Sequence, residues 1–316
     1  MQNKNLLGSL MVLAAAVLWG TTGTAQSLAP AHLSAYWTGT LRLVVAAAFF
    51  AVYGLCTVPR SRWAADLRPI GWGQVLLAGF CIAGYNLAFF AGIKANGVAI
   101  GTAVALGSGP VWAGLLQWLF ARQLPGAAWW LGTLLAVAGG TLMVLGGSAD
   151  HAVSLRGTLL CLVAGLGYAA YALLNQRLVR AAPPATVTLC VFAAAALIAV
   201  PAALAVSGPF AATASDVLVV GYLGVVATGV AYLLFSYALR WLTSATAVTL
   251  ALAEPLVAFG LAVAVLHEQT TLGAWIGLGG VLAGLAVVMA AEVRGPKPSA
   301  APASSRTAKP PSGLSK

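Results

Sequence analysis

Glu254, followed at once by Pro255, stands near the middle of the apolar run 245–266, so a carboxyl and a helix breaker share a stretch long enough to cross a bilayer. An ionisable side chain at that depth costs about 2.5 kcal/mol or more and faces protein or water rather than lipid. Proline removes a backbone donor and leaves a carbonyl of the preceding turn unpaired. The carboxyl can therefore bind a cationic group or exchange a proton, or it can hydrogen-bond the carbonyls that Pro255 frees; the residue types leave both open. Arg42 lies about eight residues into the run 35–58, deep for a permanent charge. Its planar fork fits a carboxylate bidentately, its stem is long enough to snorkel to the interface, and an ion pair with Glu254 is a third use. Bound to a ligand rather than to each other, Arg42 and Glu254 suit the two ends of a zwitterion.

Aromatic and amide side chains add to this pair. Trp19 and Tyr168 fall near the middle of the runs 6–28 and 155–179, away from the interfaces where Trp and Tyr usually gather. Tyr171 and Asn175 follow Tyr168 at three- and four-residue steps and share its helical face, while Tyr85 and Asn86 put polar tips into the run 70–93. Singly, each is explained by helix packing; as a set they describe the wall of a mainly apolar cavity with a few hydrogen-bonding groups. Pro110, between Gly107 and Gly109 on one side and Val111 on the other, and Pro255 are read as hinges or fixed kinks. Gly97 with Gly101, and Gly280 with Gly284, have the small-xxx-small spacing of close helix approach. Trp63, Trp72, Trp129, Trp130 and Trp241 lie near run ends and read as an aromatic belt. His32, His151, His267 and the six acidic residues are scattered without metal spacing, so no metal or cofactor is expected.

The elements that must carry these groups are membrane helices. The chain is 61% hydrophobic and 7% charged, with a mean hydropathy of +0.94, which a soluble chain of this size does not sustain. About 20 helical residues cross the hydrocarbon, and ten such runs can be read: 6–28, 35–58, 70–93, 98–120, 127–147, 155–179, 185–206, 217–239, 245–266 and 272–291. The alternation of a membrane barrel is missing. Of the sixteen Lys and Arg residues, only Lys94 and Arg156 fall in loops opposite the N-terminus and Arg42 falls within a run, which leaves thirteen on the N-terminal side. That bias follows the positive-inside rule and predicts cytoplasmic termini; the net charge of +10 is orientation rather than a nucleic-acid footprint. Cys56, Cys81, Cys161 and Cys190 read as small core residues. The first run is taken as a retained span rather than a cleaved signal, and residues 293–316, rich in Pro, Ser, Ala and Lys, as a disordered cytoplasmic tail.

The chain also repeats itself. An offset of 145 superimposes Gly79 on Gly224, Gly84 on Gly229, Pro110 on Pro255, Trp130 on Trp275, Gly132 on Gly277 and Gly139 on Gly284; an offset of 149 pairs Gly8 with Gly157 and Trp19 with Tyr168. Two five-helix units are predicted, residues 1–148 and 149–292. Five is odd, so the second begins on the opposite side of the membrane and the repeats are inverted, an architecture of carriers that rock around a central mid-depth site.

On Leu18-Trp19-Gly20, Arg42 and the stretch 247–284, with Glu254-Pro255-Leu256-Val257-Ala258, His267-Glu268 and Trp275-Ile276-Gly277, the chain resembles the EamA-type ten-helix members of the drug/metabolite transporter superfamily. The first half departs from that pattern, with Arg122-Gln123 where the family repeats the glutamate seen here as Glu268. The resemblance implies export or exchange of small metabolites in a bacterial-type inner membrane, with amino-acid exporters of the YddG kind the nearest analogy. Proton coupling, facilitated diffusion and exchange are all compatible with one buried acid. An exporter of drugs, a channel and a membrane enzyme acting on a lipid-linked substrate are the competing readings. The enzyme lacks the carboxylate pair or metal cluster that its chemistry needs, and no phosphate-binding loop supports nucleotide-driven pumping.

Overall fold

The computed structural model describes residues 2–27, 34–96, 98–122, 124–145, 154–210, 213–265 and 270–294. Among the described residues ten long helices follow in order: α1 (Gln2–Ser27), α2 (Ala35–Thr57), α3 (Trp72–Asn96), α4 (Val98–Ala121), α5 (Ala127–Leu145), α6 (Leu155–Ala181), α7 (Pro184–Ser207), α8, α9 and α10 (Leu272–Arg294), with a 3-10 turn Arg60–Arg62 and a short helix Trp63–Leu67 between α2 and α3. Helix α8 runs through Ala214–Gly224, a π-helical turn Val225–Val230 and Ala231–Ala238; α9 runs through Ser244–Leu250, a 3-10 turn Ala251–Ala253 and Glu254–Ala264. Nine of the ten are long and apolar enough to cross a membrane, and Ala127–Met143 in α5 is shorter. The outer surface carries Leu155, Leu197 and Leu218, each at least 74% exposed, as a lipid-facing surface requires. Residues 295–316 of the expected tail, His32, His151, His267, Glu268, Gln123 and Gly97 lie outside the described residues, while Val293 and Arg294, expected in that tail, continue α10.

Local chemistry sets the helix ends. Ser34, Ser154 and Thr243 accept from backbone amides in the first turns of α2, α6 and α9, and Thr213 with Asp216 forms a capping box at α8; each cap satisfies donors that the first turn leaves orphaned. Pro184 starts α7, where its missing N–H costs nothing, and Gly208 ends that helix at φ +67°. Arg122 ends α4 with φ +52°, an uncommon conformation for a residue with a side chain.

The packing has a two-fold logic. Helices α3 and α4 pack on α6 as α8 and α9 pack on α1, while α2 packs on α7 and α5 on α10. The glycines record the same operation. A Cβ at Gly132 would lie 2.8 Å from the Gly284 carbonyl oxygen, and one at Gly277 would lie 2.5 Å from that of Gly139. Since Gly132 corresponds to Gly277 and Gly139 to Gly284, each contact is the image of the other. Likewise Gly79 abuts Ala194 and Gly224 abuts Val45, and Val45 and Ala194 are themselves 149 apart, which carries that offset into α2 and α7. The fold is therefore all-α, ten helices in two inverted five-helix repeats.

Two expectations change. Trp129, read as part of the aromatic belt, is 5% exposed, because Gly114 admits its ring against α4. Cys56, read as a core residue, is exposed at the end of α2; one more helical step past the core turns it outward.

Candidate functional site

Helix α1 reaches the centre of the bundle through Gly20. A Cβ there would meet the Val257 Cβ at 2.6 Å and the Glu254 carbonyl oxygen at 2.8 Å, so the glycine lets α1 lie against the backbone of α9 at its break. The break has a local cause. Pro255 sits in the first turn of the segment Glu254–Ala264, after the 3-10 turn, a position where the lost amide donor would be unpaired anyway. Glu254 thus occupies the N-terminal end of a new helical segment, where the helix dipole favours a negative charge. Pro110, its repeat partner, lies instead inside the continuous helix α4.

Beside this break lies a cavity of about 310 Å³. It is walled by α1, α2, α3 and α4 from the first half and by α6, α8 and α9 from the second. Of the residues singled out from the sequence, Trp19, Arg42, Tyr85, Asn86, Tyr168 and Glu254 line it together. Tyr171 and Asn175 do not. Both are fully buried, and the Asn175 amide donates to Tyr171 Oη at 3.2 Å and to Ser236 Oγ at 2.8 Å. Seven residues of helix carry Asn175 about 10 Å along the axis from Tyr168, past the end of the cavity, so a shared face does not mean a shared site.

The aromatic lining is itself arranged about the pseudo-axis. Trp19 and its repeat partner Tyr168 meet edge to face with ring centroids 6.3 Å apart, and Tyr85 approaches Tyr168 at 5.6 Å. Tyr232 and Phe235 of α8 close on Trp19 at 5.0 and 5.6 Å. Trp19 Nε1 and Tyr168 Oη are both buried without a protein hydrogen-bond partner, whereas the Asn86 amide donates to the Ile82 carbonyl at 2.8 Å.

Arg42 does not snorkel. Its Nε donates to Thr228 Oγ1 at 2.8 Å, and Thr228 in turn donates to the Leu223 carbonyl at 2.7 Å, five residues back and just ahead of the π-helical stretch. Arg42 and Glu254 form no ion pair within 4 Å among the described residues, and no protein group there hydrogen-bonds the Glu254 carboxyl. The cavity thus presents a guanidinium and a carboxyl that are not joined to each other. Thr228 and Tyr232, which sequence reasoning missed, also line it.

The cavity is not centred end to end. Thr22, Gly23, Ile93 and Thr102 carry it toward the end of the bundle where α1 and α3 finish. Near the end that holds the N-terminus, side chains bridge the halves: Gln117 Oε1 accepts from the Ala245 amide, Arg177 donates to the Phe120 carbonyl, and Asn5 reaches Glu292, while within the second half Glu292 accepts from Thr246; at the opposite end Asn96 donates to Thr158 Oγ1 and accepts from the Ser154 amide across the halves. The repeat counterparts of Gln117 and Thr246 are Ala262 and Gly101, neither of which has a side chain able to make such a bond. No group of three metal-ligating side chains occurs among the described residues.

Comparison with known proteins places this architecture. The model of the EamA-like transporter family matches twice, over residues 6–145 and 155–290. The chain is 35% identical over 290 residues, 91% of its own length and 95% of the relative's, to an uncharacterized transporter of Bacillus subtilis, YwfM. It is 29% identical over 147 residues, 45% of its length and 42% of the relative's, to the uncharacterized transporter sll0355 of Synechocystis. A solved crystal structure shares the fold with a TM-score of 0.75 at 21% identity, covering 89% of this chain and 95% of that one. Two family matches that together span the ten helices, one on each five-helix repeat, lead to one conclusion: this chain is a multi-pass membrane protein that belongs to the EamA-like transporter family of the drug/metabolite transporter superfamily.

Proposed function

We propose that the chain is a secondary carrier that moves small zwitterionic metabolites, amino acids or close relatives, by alternating access of the central cavity. The observation that carries this reading is the unjoined pair of Arg42 and Glu254 in one cavity of about 310 Å³. That volume lies at the small end of ligand sites, which suits an amino acid better than a large drug. Arg42 binds the carboxylate end, Glu254 the amine end, and Trp19, Tyr85, Asn86 and Tyr168 supply an apolar wall with hydrogen-bonding tips. Residues 1–148 and 149–292 are the two moving halves. The positive-inside bias supports cytoplasmic termini in a bacterial-type inner membrane, so the end near Gln117 and Asn5 is the inner one, and the extension of the cavity the other way, past Thr22, Gly23, Ile93 and Thr102, supports a form that faces outward.

The polar lining supports the assignment in a further way, because it sits where the repeats differ. Arg42, Tyr85 and Asn86 correspond to Val191, Val230 and Ala231; Thr228, Tyr232 and Glu254 correspond to Ala83, Leu87 and Gly109. A scaffold built for rocking keeps its symmetry in the glycines and prolines, and the ligand chemistry is laid over it once. Purified protein in liposomes preloaded with unlabelled amino acids should show saturable uptake of labelled ones stimulated by the internal pool. Turnover of a lipid-linked substrate without such flux would favour the enzyme reading instead.

A further inference from the structure

We propose that Thr228 is the positioning residue for Arg42, and that the π-helical turn Val225–Val230 delivers its hydroxyl so that the guanidinium meets a substrate carboxylate end-on. This rests on the reading of the cavity as a zwitterion site. A π-helical turn is rare and clusters at functional positions, and the corresponding stretch 80–85 of α3 is ordinary α-helix. Glycine does not explain the difference, since Gly224 and Gly229 around the turn are matched by Gly79 and Gly84 at the same spacing. What differs is the pair of side chains: Arg42 and Thr228 across α2 and α8 correspond to Val191 and Ala83 across α7 and α3.

The hydroxyl is well set for this task. Its proton goes to the Leu223 carbonyl at 2.7 Å, so only lone pairs face outward, and Arg42 Nε donates to them at 2.8 Å. Thr228 is 1% exposed, so its hydroxyl is held by protein neighbours rather than water, and Gly224 brings α8 against Val45 with the Arg42 carbonyl 3.4 Å from where its Cβ would be. With Nε engaged, the side-on face of the guanidinium is closed to a ligand. Its terminal Nη1 and Nη2 have no protein partner among the described residues, and they form the parallel pair of donors that a carboxylate accepts bidentately.

The test uses the full chain in liposomes, with each L-amino acid and its carboxamide as competitors for exchange. Thr228→Val keeps the shape and removes the acceptor; Thr228→Ser keeps the acceptor. A hydrogen bond to a charged group supports a loss of about tenfold. Thr228→Val should weaken competition by the free amino acids about tenfold, leave competition by the carboxamides unchanged, and be rescued by Thr228→Ser. An equal effect of Thr228→Val on both classes, or none on either, overturns the positioning role while wild-type preference for the free amino acids keeps the zwitterion reading. If the wild-type protein itself binds carboxamides as well as free amino acids, the zwitterion reading fails and this proposal with it.

Discussion

Glu254 shows how much a single side chain depends on its backbone. Its carboxyl stands at the start of a helical segment created by Pro255, where the dipole stabilises a negative charge by roughly 0.3–1 kcal/mol. On the proposed reading it binds the substrate amine, so Glu254→Gln should raise the KM for amino-acid exchange at least about tenfold and abolish discrimination between an amino acid and its N-acetyl derivative, both measurable by competition in liposomes. Unchanged kinetics would return the carboxyl to a structural role. Gly20 is the other residue on which the site depends. Gly20→Val must push α1 away from Val257 and the Glu254 carbonyl, an overpacking that costs roughly 1–3 kcal/mol, and thermal unfolding in detergent should fall accordingly with transport lost. Arg42, Glu254 and the mid-depth Trp19 and Tyr168 were legible because charge and amphipathic aromatics are conspicuous in hydrocarbon. Thr228 and Tyr232 were not. A threonine satisfies its hydroxyl on its own helix and so leaves no mark in an apolar run, and a tyrosine between alanine and leucine reads as packing.

At the level of helices, the repeat predicts more symmetry than the backbone keeps. Pro110 and Pro255 correspond in sequence, yet only α9 changes helix type, and α4 continues through its proline. The difference is energetic. Proline in a helix interior loses a hydrogen bond and clashes with the preceding turn at a cost of about 3 kcal/mol in a water-exposed helix, whereas at the first position of a segment it costs almost nothing. Pro110→Ala should therefore raise the unfolding temperature in detergent, and Pro255→Ala should leave it nearly unchanged while slowing exchange by re-closing the 3-10 turn beside Glu254. Equal shifts for the two would mean that both prolines sit in equally strained helix. Neither the π-helical turn nor the 3-10 break could be read from periodicity, because both keep the apolar composition of the flanking helix and neither alters the residue count between the matched glycines.

For the whole molecule, ten helices, their order and their inverted pairing were readable because hydrocarbon thickness fixes span length and the odd count fixes orientation. The end toward which the cavity extends was not, since an inverted repeat reads the same from either side. The bond that Gln117 accepts from the Ala245 amide at the N-terminal end has no counterpart at Ala262, and at the other end Asn96 bonds Thr158 instead, so on the proposed reading the two gates differ in chemistry. Gln117→Ala combined with Asn5→Ala should loosen the proposed inner gate. In a background without the four native cysteines, Val248→Cys should then react several times faster with a membrane-impermeant thiol reagent applied from the N-terminal side. An unchanged rate would mean that these bonds do not hold the gate. Zwitterion transport through the asymmetric cavity between symmetric halves is read out by counterflow of a labelled amino-acid panel in proteoliposomes. Saturable uptake stimulated by internal unlabelled substrate is expected for at least one free amino acid and should be lost in Arg42→Gln; no stimulated uptake across the panel, or full activity of Arg42→Gln, would overturn the proposed function.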